Sequence, residues 1–230
     1  MALPLYLAQT AAEMIGNPHV WPLAWMACHF SPGGQGLSNL PQVLSEGAML
    51  ILDDSTPMEF HDGAMIAWQL SDTITRHGCE SLLLDFQRTN IREQQELAKL
   101  LADTLPCPVG VSEIYARELS CPVFLPPVPP DRPLSEYLAP WQGREIWLET
   151  ALDGITLTLT EAGCTADPFY DFPEDALTDK QLSCHYAIET GIDSAVFRLW
   201  RTRQDLEALL SEAESLGATK AIGLWQELGR

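Results

Sequence analysis

Short apolar runs that end in an acid recur along this chain, and each is followed by a stretch with helical periodicity. Ala48-Met49-Leu50-Ile51-Leu52 runs into Asp53-Asp54, Ser81-Leu82-Leu83-Leu84 into Asp85, and Glu145-Ile146-Trp147-Leu148 into Glu149. A strand with one wet face alternates apolar and polar residues. A strand covered on both faces reads as a continuous apolar run, as these do. Between the first two runs, Ile66, Leu70 and Ile74 recur at the helix period over 62–77, and Gly78 stands where a helix ends. Leu97, Leu100, Leu101 and Leu105 make a second stripe, stopped by Pro106, and Leu206, Leu209, Leu210, Ala213 and Leu216 a third, closed by Gly217.

Further strand-like runs lie at Leu5-Tyr6-Leu7, 25–30, 107–113, 122–125 and 220–225. Strands alternating with helices imply a parallel sheet with right-handed crossovers. About eight such strands predict an α/β fold, a single (β/α)8 TIM-like barrel over residues 1–230. Barrels of roughly this length commonly fold as one unit. The connections around Ser120 and Trp141 offer little helix, so the barrel is expected to be irregular there. Gly154 to Thr160 alternates with period two, and 183–188 and 195–200 are its candidate partners. Together they predict a β-hairpin excursion near 154–200, with the acidic stretch 163–179 as an irregular loop. An open doubly wound sheet is the alternative, but no G-x-G-x-x-G or G-x-x-x-x-G-K-[ST] turn follows any strand.

Charge narrows the partners. Thirteen Lys and Arg stand against thirty-two Asp and Glu, a net charge of −19. A phosphate backbone requires a basic footprint that this chain lacks, so neither nucleic acid nor an anionic membrane is an expected partner. No stretch approaches the ~20 apolar residues of a bilayer span. Met1-Ala2-Leu3-Pro4-Leu5-Tyr6 carries no secretion signal. A cytoplasmic location with reduced, buried thiols is the expectation for the six dispersed cysteines. Their spacing offers no zinc site, and no cofactor is implied.

In a parallel barrel the reactive groups stand at the carboxyl ends of the strands. That rule selects His29, Asp53, Asp54, Asp85, Gln87, Glu113, Glu149 and Trp225. Acids also end strands merely because the next residues are solvated or cap a helix. Asp85 resists that reading: it sits between Leu84 and Phe86, where a charge must be paired or face a polar site. Paired carboxylates at one rim suit glycoside hydrolysis, with Asp85, Glu149, Glu113 and Asp53 as the candidate catalytic acids. Gln87, Trp225, His29 and Asp54 are the candidate ligand contacts. A Trp closing the last strand can floor a sugar site, whereas Trp68, Trp141 and Trp200 read as packing residues. Cys28 and His29 are neighbours in a strand and point to opposite faces, which argues against a Cys–His dyad.

Two segments resemble family 18 glycoside hydrolases, the chitinase-like TIM barrels. Glu80-Ser81-Leu82-Leu83-Leu84-Asp85-Phe86-Gln87 is similar to that family's D-G-x-D-x-D-W-E strand. Residues 203–229, ending Ala221-Ile222-Gly223-Leu224-Trp225-Gln226-Glu227-Leu228-Gly229, resemble its closing helix and final strand. The chain also looks like a group of bacterial proteins carrying A-W-M-A-C-H-F-S-P and L-L-L-D-F-Q, a likeness that implies no activity. The family resemblance implies that Asp85 stands for the acid that polarises a substrate N-acetyl group, that Gln87 stands for the general acid, that Leu83 replaces the inner aspartate, and that Trp225 is the floor tryptophan. Glutamine carries no titratable proton and cannot protonate a leaving oxygen. The expectation is therefore a carbohydrate-binding or glycoside-hydrolase-like barrel with an oligosaccharide or other small-molecule ligand. The alternatives are a non-catalytic binding or assembly barrel, and a metal-dependent hydrolase using Asp53, Asp85 and His29.

Overall fold

The computed structural model describes residues 3–16, 22–34, 36–58, 62–152, 154–169, 173 and 176–229. The chain begins with β1 (Leu5–Gln9), α1 (Ala11–Gly16), β2 (Leu23–Phe30), the two-residue β3 (Leu37–Ser38) and β4 (Met49–Asp53). Then follow α2 (Gly63–His77), β5 (Ser81–Asp85), α3 (Arg92–Thr104), β6 (Val109–Ser112), α4 (Glu113–Ala116), β7 (Val123–Leu125), α5 (Leu134–Leu138) and β8 (Ile146–Thr150). After β8 come five strands, β9 (Gly154–Thr160), β10 (Gly163–Phe169), β11 (Leu177–Asp179), β12 (Cys184–Thr190) and β13 (Ser194–Trp200). The chain ends in α6 (Arg203–Ser215), β14 (Ala218–Leu224) and α7 (Trp225–Leu228).

Eight parallel strands close on themselves in the order β1, β2, β4, β5, β6, β7, β8, β14, with β14 pairing back onto β1. β3 adds an antiparallel edge to β2. Their continuous apolar runs serve two separate cores, because successive side chains leave a strand on opposite faces. Tyr6, Ala8, Ala24, Met49, Ile51, Leu83, Phe124, Trp147 and Ile222 fill the barrel interior. Leu50, Leu52, Leu82, Leu84, Val109 and Val111 face outward. There they meet Ile66, Leu70 and Ile74 of α2, Leu97 and Leu101 of α3, and Leu206, Leu209 and Ala213 of α6. The interior admits Trp147 only because Gly110 lies opposite. A Cβ on Gly110 would lie 2.2 Å from the indole ring.

The long helices stop where the sequence predicts. Asp62 caps α2 by accepting from Ala64 N (2.9 Å), and Gly78 ends it with φ 63°. Thr202 and Asp205 form a reciprocal capping box at α6. One quarter of the outer layer is thin, since α4 and α5 have only four and five residues. Arg144 braces it by donating to the carbonyls of Ala116 (2.8 Å), Leu119 (2.7 Å) and Cys121 (2.6 Å). The amino-terminal mouth is plugged by Lys220, which pairs with Glu80 and lies 4.9 Å from the Tyr6 ring centroid and 5.5 Å from that of Trp147. Among the described residues no helix is long and apolar enough to cross a membrane.

The excursion is larger than a hairpin. β9–β13 form a five-stranded antiparallel sheet in the order β10-β9-β13-β12-β11. The stretch expected to be an irregular loop supplies two of these strands, β10 and β11, while 170–172, 174 and 175 lie outside the described residues. Arg201, 5% exposed, ties the sheet to the proline-rich turn through the carbonyls of Val128 and Pro129. His185 Nδ1 meets Asp205 Oδ2 of α6 at 2.7 Å. Two packing expectations fail: Trp68 is 68% exposed on the outer face of α2, and Cys164 is exposed on β10. Trp141 and Trp200 are buried as expected, and all six thiols are free.

Candidate active site at the carboxyl mouth of the barrel

Strand register decides which acids meet. Asp53 of β4 is the direct partner of Asp85 of β5, and His29 of β2 is the partner of Asp53. Ile51 and Leu83 lie two residues earlier and face the interior, so Asp53 and Asp85 cap that interior. An irregularity in β2 between Trp25 and Cys28 resets its alternation. Cys28 is consequently sealed in the outer core, while His29 reaches the mouth beside Asp53. The Cys–His pair is separated, as the alternation predicts.

A cavity of about 90 Å³ opens at this end, walled by Asp53, Asp85 and Glu149 over a floor of Met26, Ile51, Leu83 and Phe124. A groove of about 250 Å³ adjoins it and shares Phe124 and Glu149, with Gln87, Thr89, Ser112 and Glu113 on its other sides. Three of the four candidate acids therefore line the cavity, and Glu113 lines the groove. Glu113 is the first residue of α4 rather than the last of a strand.

The side chains at the mouth have defined partners. Gln87 Nε2 donates to Asp85 Oδ1. Burial pushes the Asp85 carboxyl above the ordinary aspartate range. The Gln87 hydrogen bond opposes that rise, and the neighbouring Asp53 and Asp54 add to it. Asp53 Oδ2 meets His29 Nδ1 at 2.7 Å, and Asp53 Oδ1 accepts from Ser55 N at 2.9 Å. Tyr137 stands near Glu113 and Glu149, and burial first, then Glu113, pushes its phenol upward; its hydroxyl donates to Pro126 O (2.9 Å).

Asp54 and Trp225 do different work from that expected of them. Asp54 follows Asp53, so alternation turns it behind the mouth, where it is 3% exposed. Its carboxylate accepts from Gln87 N (3.0 Å), Arg88 N (2.8 Å) and Gln94 Nε2 (3.0 Å). It anchors the loop that carries Gln87 rather than contacting a ligand. Trp225 begins α7, and its ring packs where a Cβ on Gly229 would stand. Ile222 faces the interior, so Leu224, not Trp225, reaches the cavity from the last strand. Sequence reasoning missed Gln94 and Tyr115, whose hydroxyl donates to Gln94 Oε1 at 2.8 Å. A signal for Gln94 was present: with Leu97, Ala98 and Leu101 it completes the buried stripe of α3, and a polar residue there calls for a partner.

Among the described residues no three His, Cys, Asp or Glu side chains converge on a position that could hold a metal ion. His29 and Asp53 bind each other, and Asp85 is engaged by Gln87. The reading as a metal-dependent hydrolase on Asp53, Asp85 and His29 finds no ligand set in this arrangement.

A closed barrel of eight parallel strands with helices outside and an antiparallel insertion before its last helix and strand is a (β/α)8 TIM-like barrel. Solved structures, chitinases among them, share that fold with this chain. It matches the spore cortex-lytic enzyme SleL of Bacillus cereus with a TM-score of 0.58 at 11% identity, over 96% of this chain and 70% of that one. It matches a family 18 chitinase variant of Cycas revoluta, crystallised with (GlcNAc)4, at 0.56 and 12%, over 96% and 94%. It matches the sporulation-specific glycosylase YdhD of Bacillus subtilis at 0.55 and 9%, over 86% and 90%. No family model and no curated relative matches the sequence.

Proposed function

We propose that this protein binds a carbohydrate at the carboxyl mouth of the barrel and that Asp85 is its principal ligand-facing carboxylate. The observation that carries this reading is the pairing of Asp85 with Gln87 on the rim of a hollow with an apolar floor. Sugars present hydroxyls on their edges and C–H groups on their faces, and such a hollow offers both an acceptor and a hydrophobic surface. The fold shared with a chitinase that binds (GlcNAc)4 supports the class of ligand. With Gln87 at the position that the resemblance gives to the general acid, proton donation from that residue is ruled out by its chemistry.

One observation favours turnover by another route. Burial raises the Asp85 carboxyl, the direction a general acid requires, and Glu149 lines the same cavity as a candidate partner, with Glu113 in the adjoining groove. The test of the binding reading is thermal unfolding with oligosaccharides of glucosamine, N-acetylglucosamine and neutral glucose. A ligand at about 100 times its Kd stabilises by about 2.7 kcal/mol. That raises the midpoint by roughly 5–11 °C in a chain of this size. The shift is expected with at least one saccharide and is expected to be lost in Asp85→Ala. No shift across the panel overturns the reading.

A further inference from the structure

We infer that two copies of this protein pair through the insertion sheet, each burying one apolar face of β9–β13 against the same face of the other in a two-fold interface built like a β-sandwich. The inference is independent of the sugar reading. Among the described residues, those that line the cavity and the groove at the mouth come from the barrel and its loops, not from this sheet.

Register defines the face. Residues directly opposed on antiparallel strands project to the same side. Leu157 of β9 opposes Phe197 of β13, which opposes Ile188 of β12. In the next row Ile155 opposes Leu199, which opposes Tyr186, and Leu177 of β11 opposes Tyr186 in turn. Cys164 and Ala166 of β10 extend the face with small side chains opposite Leu159 and Leu157. The other side of the same strands carries Thr156, Thr158, Glu189 and Arg198, and reaches α6 through His185 and Asp205. The apolar side has no such support. None of its side chains belongs to the barrel interior or to the core between barrel and helices. Leu159 is 42% exposed, Ile188 46% and Leu177 59%, while Leu157 and Phe197 are half-buried. A chain that stays single seldom leaves a contiguous apolar patch of more than a few hundred Å² in water.

Charge and area select a second copy as the occupant. Across a two-fold axis a patch meets itself, so any net charge on it meets its own sign. A chain with a net charge of −19 satisfies that condition only where acids are missing. Among the described strand residues on this face, Asp179 is the one charged side chain, and it lies at the margin on β11. Strands about 4.8 Å apart that rise about 3.4 Å per residue give the five-stranded face roughly 500 Å², so two copies bury roughly 1,000 Å², the size at which specific interfaces begin. Sheets with one apolar face stack on each other about 10 Å apart with their side chains interdigitated, and an identical sheet provides that partner.

The experiment is sedimentation velocity of the whole protein across a wide concentration range, in low and in moderate sodium chloride. The expected result is a monomer–dimer equilibrium with a Kd of about 1–100 μM, as suits an interface at the small end of the range. It is expected to tighten as salt screens the repulsion between two acidic chains. Leu159→Glu and Ile188→Glu place acids at exposed positions of the face, which the single chain tolerates. Each is expected to weaken the dimer at least about tenfold, because the new acids meet across the axis. Thr158→Glu adds the same charge to the opposite side of the sheet and is expected to leave the equilibrium within about threefold of wild type. Circular dichroism checks that each variant is folded. Leu159→Ser removes the apolar contact without adding charge, is expected to weaken the dimer too, and takes the place of a charged variant that fails to fold. A monomer at every concentration and salt overturns the inference and leaves the face to a partner of another kind. A dimer that persists unchanged in the folded Leu159→Glu and Ile188→Glu variants also overturns it, since the contact then lies elsewhere.

Discussion

At the scale of single residues, neighbours in sequence take opposite duties. Asp53 faces the mouth and Asp54 the loop behind it, because one step along a strand reverses the face. The same parity sends Leu224 to the cavity and Trp225 away. Asp85 carries a cost that follows from its place. Its folded pKa is raised by burial and by Asp53 and Asp54, so ionisation is harder in the folded chain than in the unfolded one. Below the unfolded carboxyl value of about 3.9 it is protonated in both states and costs nothing. As pH rises through the folded value the cost appears in full. Asp85→Asn is therefore expected to melt higher than wild type at pH 7.5 and at the same temperature near pH 3. Thermal melts across that range check it, and a lower midpoint for the variant at pH 7.5 contradicts it. Stability given up at a carboxylate proposed to face a ligand is the trade-off expected of such a site. The identity of Asp85 as the exceptional acid was legible in the sequence, since it interrupts an apolar run. The hidden role of Asp54 was not, because its partners Gln87, Arg88 and Gln94 come from 33 to 40 residues further on.

At the scale of elements, the strands and long helices were legible because each carries its own period. β4, β5, β8, α2, α3 and α6 stand where apolar runs and stripes predict them. The insertion was legible only in part: β9 alternates cleanly, while residues 163–168 of β10 are exposed on both faces and give no apolar face to read. What no local pattern reveals is the fit between elements. Gly110 on β6 and Trp147 on β8 are not adjacent strands, yet the ring fills the space left by the missing side chain. Gly110→Ala forces a methyl into the indole, and overpacking of this kind costs typically 1–3 kcal/mol. Trp147→Val opens a void in the interior and costs roughly 3–5 kcal/mol, the range for large-to-small changes at an aromatic. In the double variant the methyl enters the void. Denaturant unfolding is expected to show a double-variant loss smaller than the two single losses together by at least about 1 kcal/mol. Strict additivity would mean that the two residues do not share the space.

At the scale of the whole molecule, the charge that limits the partners also limits stability. A net charge of −19 repels itself, and the compact state bears more of that repulsion than the extended chain. Against it stand a few exposed pairs, Arg76–Asp72, Arg92–Glu96 and Arg198–Glu189. Pairs of this type contribute about 0–1 kcal/mol each, and salt weakens them as well. The two effects of salt therefore oppose each other, and the excess of nineteen acids outweighs these local contacts. The screening length falls from about 30 Å at 0.01 M to about 10 Å at 0.1 M, from the span of the molecule to the spacing of near neighbours. The thermal midpoint is expected to rise between these concentrations, by roughly 2–4 °C for each kcal/mol of repulsion relieved. Sodium chloride is the salt to use, since sulfate would add its own exclusion effect. A midpoint that falls would place the dominant electrostatics in local pairs. The first contacts to examine would then be the buried Arg201 with its four carbonyls, and the partly exposed pair Lys220–Glu80 at the closed end of the barrel.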